Sequence, residues 1–116
     1  MEKLQLGKLI DLVHRRTRMY LKKDNMSRIV LKFSEELTKV TVILISANDL
    51  SDEELASIGA RYNHMFEDKS DFITIQILSK TNHYKSKKDC YTIWKKGEGF
   101  VGNPRLWNTW RHSRKA

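Results

Sequence analysis

The hydrophobic pattern of the chain changes its period several times, and these changes predict its secondary structure. Residues 40–45 are apolar at almost every position, as in a strand that is buried on both faces. Residues 72–78 form a second run rich in β-branched residues. Between the two runs, residues 51–54 match the S-x-x-E capping box, and an apolar series follows at helical spacing: Leu55, Ile58, Tyr62, Met65 and Phe66. The pattern therefore predicts a βαβ unit with a right-handed crossover between parallel strands.

The chain before this unit predicts a helix and a strand. In residues 3–23, apolar positions recur every three or four residues along one helical face: Leu6, Leu9, Ile10, Val13, Thr17 and Tyr20. Residues 28–33 alternate between apolar and polar, as expected of a strand with one buried face. Because only a short polar link, residues 34–39, separates this strand from the next, we expect an antiparallel hairpin. A helix that continues through Phe33 to Leu37 is the alternative.

The chain after the βαβ unit predicts one more strand and a short helix. Residues 90–95 favour a strand with Tyr91 and Ile93 on one face and Thr92 and Trp94 on the other. Residues 97–99, Gly-Glu-Gly, predict a turn. Asn103 followed by Pro104 is typical of a helix start, which predicts a short helix over residues 104–112. The polar composition of residues 111–116 is compatible with terminal disorder.

Together these elements predict a single α+β domain over residues 1–116, in the order α-β-β-α-β-β plus a short C-terminal helix. The predicted sheet has four strands, is mixed, and contains the βαβ unit at its centre. Because the central strands are apolar at both parities, both faces of the sheet need cover. One helix on each face would provide it, and so would a homodimer.

Composition excludes several classes of protein. No apolar run approaches the roughly 18 residues of a membrane span, and the N-terminus lacks the apolar core and cleavage site of a signal peptide. With Cys90 as its single cysteine, the chain cannot form an internal disulfide. We therefore expect a cytoplasmic protein in a reducing compartment, with no membrane association.

The positive charge is concentrated in the last third of the chain. Residues 1–79 carry 12 Lys or Arg and 12 Asp or Glu, whereas residues 80–116 carry 10 basic residues and only two acids, so the whole net charge of +8 lies there. A second basic stretch, residues 1–28, has eight basic residues and three acids. Such asymmetry favours a polyanionic partner.

The basic residues of the last third alternate with aromatic residues, and all three tryptophans lie in it. Cations neutralise phosphates, and aromatic rings stack on unpaired bases, so this mixture predicts binding to RNA or single-stranded DNA. The candidate binding residues are Lys80, Tyr84, Lys85, Lys87, Lys88, Lys95, Lys96, Arg105, Trp107, Trp110, Arg111, Arg114 and Lys115. The basic face of the first helix would add Arg15, Arg18 and Lys22, with Arg16 beside them.

Other interpretations of this region stay open. The aromatic residues could belong to the core while the lysines provide solubility. The same Trp, Tyr and Arg residues could anchor a protein-interaction module, such as an inhibitor or adaptor, on an acidic partner. A small metal-independent endoribonuclease is the third possibility, with His83 and His112 as candidate acid and base. We expect a binding protein in preference to an enzyme.

No cofactor or metal site is expected. The four histidines show no metal-ligand spacing with Cys90. Residues 97–102 match G-x-G-x-x-G, but the long helix that a dinucleotide site needs cannot follow, so we expect a glycine turn. The acids of residues 52–54 lie where a capped first helical turn favours negative charge.

Overall fold

The computed structural model describes residues 5–80 and 90–100 of the protein. These residues form one small α+β domain with two α-helices and a five-stranded mixed sheet. Along the chain the elements are α1 (Leu6–Leu21), β1 (Met26–Phe33), β2 (Val40–Ser46), α2 (Asp52–Met65), a 3-10 turn (Glu67–Lys69), β3 (Ile73–Leu78), β4 (Cys90–Lys95) and β5 (Gly99–Phe100).

The order of the strands in the sheet is β3-β2-β1-β4-β5. Strands β1 and β2 form the expected antiparallel hairpin, with Phe33 opposite Val40, so the alternative helix through Leu37 is wrong. The predicted parallel pairing of β2 with β3 is confirmed, and Val40 lies beside Ile73. The βαβ unit is not central, however, because β3 is an edge strand of the described sheet.

The predicted strand count was wrong, since β5 adds a fifth strand to the four expected. This strand is only two residues long and pairs antiparallel with β4, with Phe100 opposite Trp94. The Gly-Glu-Gly turn before it is confirmed, and Gly97 and Gly99 adopt φ values of 86° and 81°. Two residues are too few for a period-2 pattern to be recognised in the sequence. The predicted helix over residues 104–112 lies outside the described residues.

Helix α2 begins as its sequence predicts. The Ser51 hydroxyl accepts a hydrogen bond from Glu54 N at 3.2 Å, and the Glu54 carboxylate accepts one from Ser51 N at 3.1 Å. This reciprocal pair satisfies two N–H groups that have no partner inside the helix. Further along, Tyr62 and Phe66 are the residues of the apolar series that become fully buried.

Both helices pack on the same face of the sheet. Their buried residues share one core cluster with inward-facing strand residues: Leu9, Ile10, Val13, Leu21, Met26, Ile29, Leu31, Phe33, Val40, Val42, Leu44, Tyr62, Phe66, Ile73 and Ile93. The arrangement with one helix on each face is therefore wrong. The opposite face carries a smaller buried cluster of Val30, Ile43 and Ile45, against which Leu78 and Cys90 pack.

A bulge changes the predicted faces of β4. Ile29 lies opposite Trp94, but the next residue, Val30, lies opposite Thr92, so β4 has one extra residue at this point. As a result Trp94 packs against the same core cluster as Ile93 and Tyr91, whereas simple alternation placed it on the other face with Thr92.

No helix within the described ranges is long and apolar enough to cross a membrane.

Candidate nucleic-acid interface

The two helices run antiparallel, and this orientation decides which basic residues can lie together. Arg16 of α1 donates a hydrogen bond to Met65 O at the end of α2, whereas Asp24, just beyond α1, contacts Arg61 one turn earlier. The C-terminal end of α1 therefore lies at the end of the sheet where β2 and β3 finish and α2 begins.

Asn25 and Asn48, which we call the asparagine junction, join the loops at this end of the sheet. Asn25 adopts φ 50°, a left-handed conformation that asparagine tolerates. Its carbonyl accepts from Ala47 N at 2.9 Å, and its side-chain amide donates to Asn48 Oδ1 at 3.0 Å. Asn48 O in turn accepts from Lys80 N at 3.0 Å. The loops that follow α1, β2 and β3 are thus held together.

Lys96 attaches the β4–β5 turn to the same junction. Its backbone N donates to Ser27 O at 3.0 Å, and its ammonium group donates to the side-chain oxygen of Asn25. An ammonium group has three N–H donors, so this contact leaves capacity for other acceptors. The contact brings a lysine from the last third of the chain beside the end of the first helix.

Five lysines belong to the chain segments that meet at the asparagine junction, and we call this region the basic end. Four of them were predicted from the sequence and one was not; the set is Lys22, Lys23, Lys80, Lys95 and Lys96. Lys95 lies opposite Arg28 across β4 and β1, so two basic residues are direct cross-strand neighbours. The Lys95 ammonium lies 4.0 Å from the Glu98 carboxylate, and both side chains are exposed. Exposed pairs of this kind contribute little to stability.

The other basic residues predicted on α1 are placed differently. Arg18 lies one turn before Lys22 and is exposed. Arg15 is exposed as well, and it pairs with Asp11 at 3.3 Å within the helix. Arg16 does not belong to the basic surface, because its guanidinium binds both Asp68 oxygens, at 2.6 and 2.9 Å, and lies over the Phe66 ring. This hydrogen bonding raises the pKa of Arg16 and lowers the pKa of Asp68.

A cleft of about 290 Å³ opens between the end of α1 and the start of α2. Its lining combines both signs of charge with polar and apolar side chains: Lys23, Asp24, Asn25, Asn48, Leu50, Glu54, Ser57, Ile58 and Arg61. Asp24 accepts hydrogen bonds from Arg61 at 2.5 Å and from the Tyr62 hydroxyl at 2.8 Å. Burial, together with the bond to Asp24, raises the pKa of Tyr62. The lining contains two basic and two acidic residues, so the cleft carries no net charge of its own.

The described aromatic residues of the last third pack into the fold. Phe100 stacks on His14 of α1 with ring centroids 4.2 Å apart, and Trp94 lies 6.3 Å from Phe100. Tyr91 packs edge-on against Phe33 at 6.0 Å. Tyr91, Trp94 and Phe100 are half-buried against the main core. For these three rings, the interpretation as core residues agrees with the contacts.

Many predicted binding residues lie outside the described residues: Tyr84, Lys85, Lys87, Lys88, Arg105, Trp107, Trp110, Arg111, Arg114 and Lys115. The candidate histidines of the ribonuclease interpretation, His83 and His112, lie there as well. Of the two described histidines, His14 is stacked on Phe100, and His64 Nδ1 lies 2.9 Å from Glu67. Within residues 5–80 and 90–100, no cluster of three or more His, Cys, Asp or Glu side chains could hold a metal ion.

The asparagine junction was not predicted from the sequence. A signal was present, because Asp24-Asn25 follows the first helix and Asn48-Asp49 follows the apolar strand, and asparagine favours positions with positive φ. Periodicity locates such residues in loops but does not show which loops meet.

No protein-family model matches the chain. A search of curated proteins also finds no match.

Proposed function

We propose that this protein binds nucleic acid through the basic end, with single-stranded DNA or RNA as the favoured partner. The observation that supports the proposal best is the hydrogen bond from Lys96 to Asn25. It joins a lysine of the basic last third to the C-terminal end of the first helix, which are two basic regions that are far apart in the sequence. A phosphate chain that crosses this end would meet cations from both.

The arrangement is more than the usual enrichment of lysine at a helix C-terminus. Lys22 and Lys23 would be favoured there by the helix dipole alone. Lys80 and Lys96, however, follow β3 and β4 and make no contribution to that helix. Lys80 N nevertheless donates to Asn48 O, and the Lys96 ammonium donates to the Asn25 side chain. Convergent cations from separate elements provide a footprint for several phosphates at once, and the release of counterions then favours binding.

The preference for single strands rests on composition. Trp107 and Trp110 are three residues apart, among cations, and unpaired bases stack on such rings. Within the described ranges, Tyr91, Trp94 and Phe100 pack on the core, so stacking would fall to Trp107 and Trp110. Neither described helix follows the other through the short turn of a helix-turn-helix motif, since two strands separate them.

The proposal can be tested by fluorescence anisotropy with a labelled single-stranded oligonucleotide over a range of salt concentrations. The test variant combines Lys22→Ala and Lys96→Ala. The matched control combines Lys8→Ala and Lys39→Ala, which remove the same charge from the first turn of α1 and from the β1–β2 hairpin, at the opposite end of the sheet. A plot of the logarithm of the binding constant against the logarithm of the salt concentration has a negative slope. We expect this slope to be less steep in the test variant by about 1.4, or ~0.7 for each lost phosphate contact. The control should leave the slope close to that of the wild type.

Three outcomes would contradict the proposal. These are no binding at low salt, an equal loss of affinity in both variants, or loss in the control alone. Absence of binding would favour the protein-interaction alternative, in which the same cations dock on an acidic protein surface.

Tryptophan emission tests the stacking. Quenching on binding that is lost when the chain is truncated after Gly102 would support stacking by Trp107 or Trp110. Cleavage of the oligonucleotide that disappears in His83→Ala or His112→Ala would favour the ribonuclease alternative.

A further inference from the structure

Among the residues that the structure describes, strand β3 has no neighbour on its outer edge, and it lacks the features that usually protect such an edge. It is six residues long, pairs only with β2 among the described strands, and contains no charged residue, proline or bulge in Ile73–Leu78. Natural sheets protect exposed edges with short strands, charges or bulges, because free N–H and C=O groups otherwise recruit another strand. The opposite edge of this sheet has such protection, since β5 is two residues long and follows Lys95, Lys96 and Glu98.

The hydrogen bonds with β2 show which backbone groups of β3 point outward. The Phe72 carbonyl accepts from Val40 N at 2.8 Å, so it points towards β2. Because peptide groups alternate in direction along a strand, the N–H and C=O groups of Ile73, Ile75 and Ile77 point away from the sheet. The residues with outward backbone groups are therefore symmetric about Ile75, with Ile73 two positions before it and Ile77 two positions after it.

We propose that β3 pairs antiparallel with β3 of a second copy of this chain, with the two-fold axis at Ile75. In this register Ile75 exchanges two hydrogen bonds with the partner's Ile75, and Ile73 does so with the partner's Ile77. The spacing is self-complementary, as a two-fold interface requires. Two five-stranded sheets would become one continuous sheet.

The side chains of β3 itself favour a second copy as the occupant of this edge. No residue of Ile73–Leu78 is charged, although the wider segment of residues 29–79, with four basic residues and nine acids, is acidic. On the face opposite the helices, β3 presents Thr74 and Gln76, which are exposed and neutral. In the proposed register, Thr74 of each copy lies beside the partner's Gln76, and no like charges meet.

Helix α2 leaves room for the second sheet. At Gly59 the nearest side-chain atom to an added Cβ would be Ile77 Cγ1, at 3.9 Å, so this side of α2 faces β3. Ala56 and Asn63 share that side at helical spacing and are exposed. Small side chains beside the edge allow the partner strand to approach. Pairing of one strand alone buries less area than a standard stable interface, so we expect a reversible dimer.

The test is sedimentation equilibrium over a range of protein concentrations. The test variant combines Thr74→Lys and Gln76→Lys, which places ammonium groups opposite one another across the proposed pair. The charge-matched control combines Gln5→Lys, at the N-cap of α1, with Met19→Lys inside the helix, and both positions are exposed. We expect the wild type and the control to form dimers and the test variant to have a dissociation constant at least about tenfold higher. A monomeric wild type, or a test variant that associates like the wild type, would overturn the proposal.

A cross-link tests the register directly. In a Cys90→Ser background, Thr74→Cys and Gln76→Cys together place two thiols in a non-hydrogen-bonded pair, where the separation of Cα atoms suits a disulfide. Oxidation should yield a covalent dimer. A dimer that persists in solution but does not cross-link would overturn this register.

The pairing of β3 does not depend on nucleic-acid binding. Since its contacts are neutral, added salt should leave the dimer intact.

Discussion

Asp24 is a carboxylate with only 8% of its side chain exposed, and its burial is compensated by two donors. Arg61 forms the ion pair with it, and the Tyr62 hydroxyl donates to its second oxygen. A buried charge is costly unless it is paired and its remaining oxygens are hydrogen-bonded. This group of three side chains therefore joins the end of α1 to the C-terminal half of α2.

We expect Tyr62→Phe to destabilise the protein by about 1.5–3 kcal/mol, the usual range for a hydrogen bond to a charged group. The ring stays buried, so the loss reports the hydroxyl and its bond to Asp24. The measurement is chemical denaturation at neutral pH. Tyr20→Phe is the matched control, because Tyr20 contacts Arg61 through its ring, and it should change the free energy of unfolding by less than ~0.5 kcal/mol.

The ion pair of Arg16 with Asp68 makes stability depend on pH in the acid range. The hydrogen bond from Arg16 lowers the pKa of Asp68 in the folded protein. A carboxyl whose folded pKa is depressed stabilises the fold above its unfolded pKa of about 3.9, and this contribution is lost as pH falls through the folded value.

Asp68→Asn should consequently be less stable than the wild type at neutral pH, and the difference should close as pH falls below about 4. Denaturation midpoints across this range would measure it. Asp71→Asn, which removes an exposed carboxylate close by, serves as the control for charge alone. A gap between Asp68→Asn and wild type that stays constant with pH would show that the pair does not act through ionisation.

At the scale of elements, the start of α2 is decided locally. Ser51 and Glu54 satisfy each other's backbone N–H groups within four residues. A local device of this kind depends on few distant contacts, which is why the sequence pattern located it correctly.

Ser51→Ala should therefore cost about 1 kcal/mol of stability. Ser57→Ala, at an exposed position in the interior of α2, should be neutral or slightly stabilising because alanine has the higher helix propensity. Thermal or chemical unfolding of the two variants would separate the cap from a general effect of removing a hydroxyl. Equal effects would mean that the capping box contributes nothing.

Strand β4 shows where local pattern is insufficient. Its bounds, Cys90–Lys95, agree with the prediction, but the bulge opposite Ile29 and Val30 moves Trp94 to the helix face. A bulge depends on how two strands fit each other, and a single strand contains no periodic sign of it. The same limit applies to Arg16, whose sequence position suggested a basic surface but whose partner is Asp68, 52 residues away.

At the scale of the whole molecule, the basic end and the outward edge of β3 are different surfaces. The lysines of the basic end lie around the ends of β2, β3 and β4, whereas the outward backbone of β3 is neutral. The two proposals therefore differ in their salt dependence: nucleic-acid affinity should fall steeply as salt rises, while β3 pairing should persist. A single salt series with both readouts would show whether the two surfaces act independently.

Within the residues that the structure describes, the sequence by itself determined both helices, four of the five strands, the α2 cap, the β1–β2 hairpin and the parallel β2–β3 pairing. These features follow from periodicity, turn residues and short connections, which act over a few residues. Only the tertiary structure decided that both helices share one face, that β3 is an edge, and that Lys96 meets Asn25. These outcomes depend on how complete elements pack against each other. Lys96 and Asn25 are 71 positions apart, and no periodic pattern in the sequence connects residues at that separation.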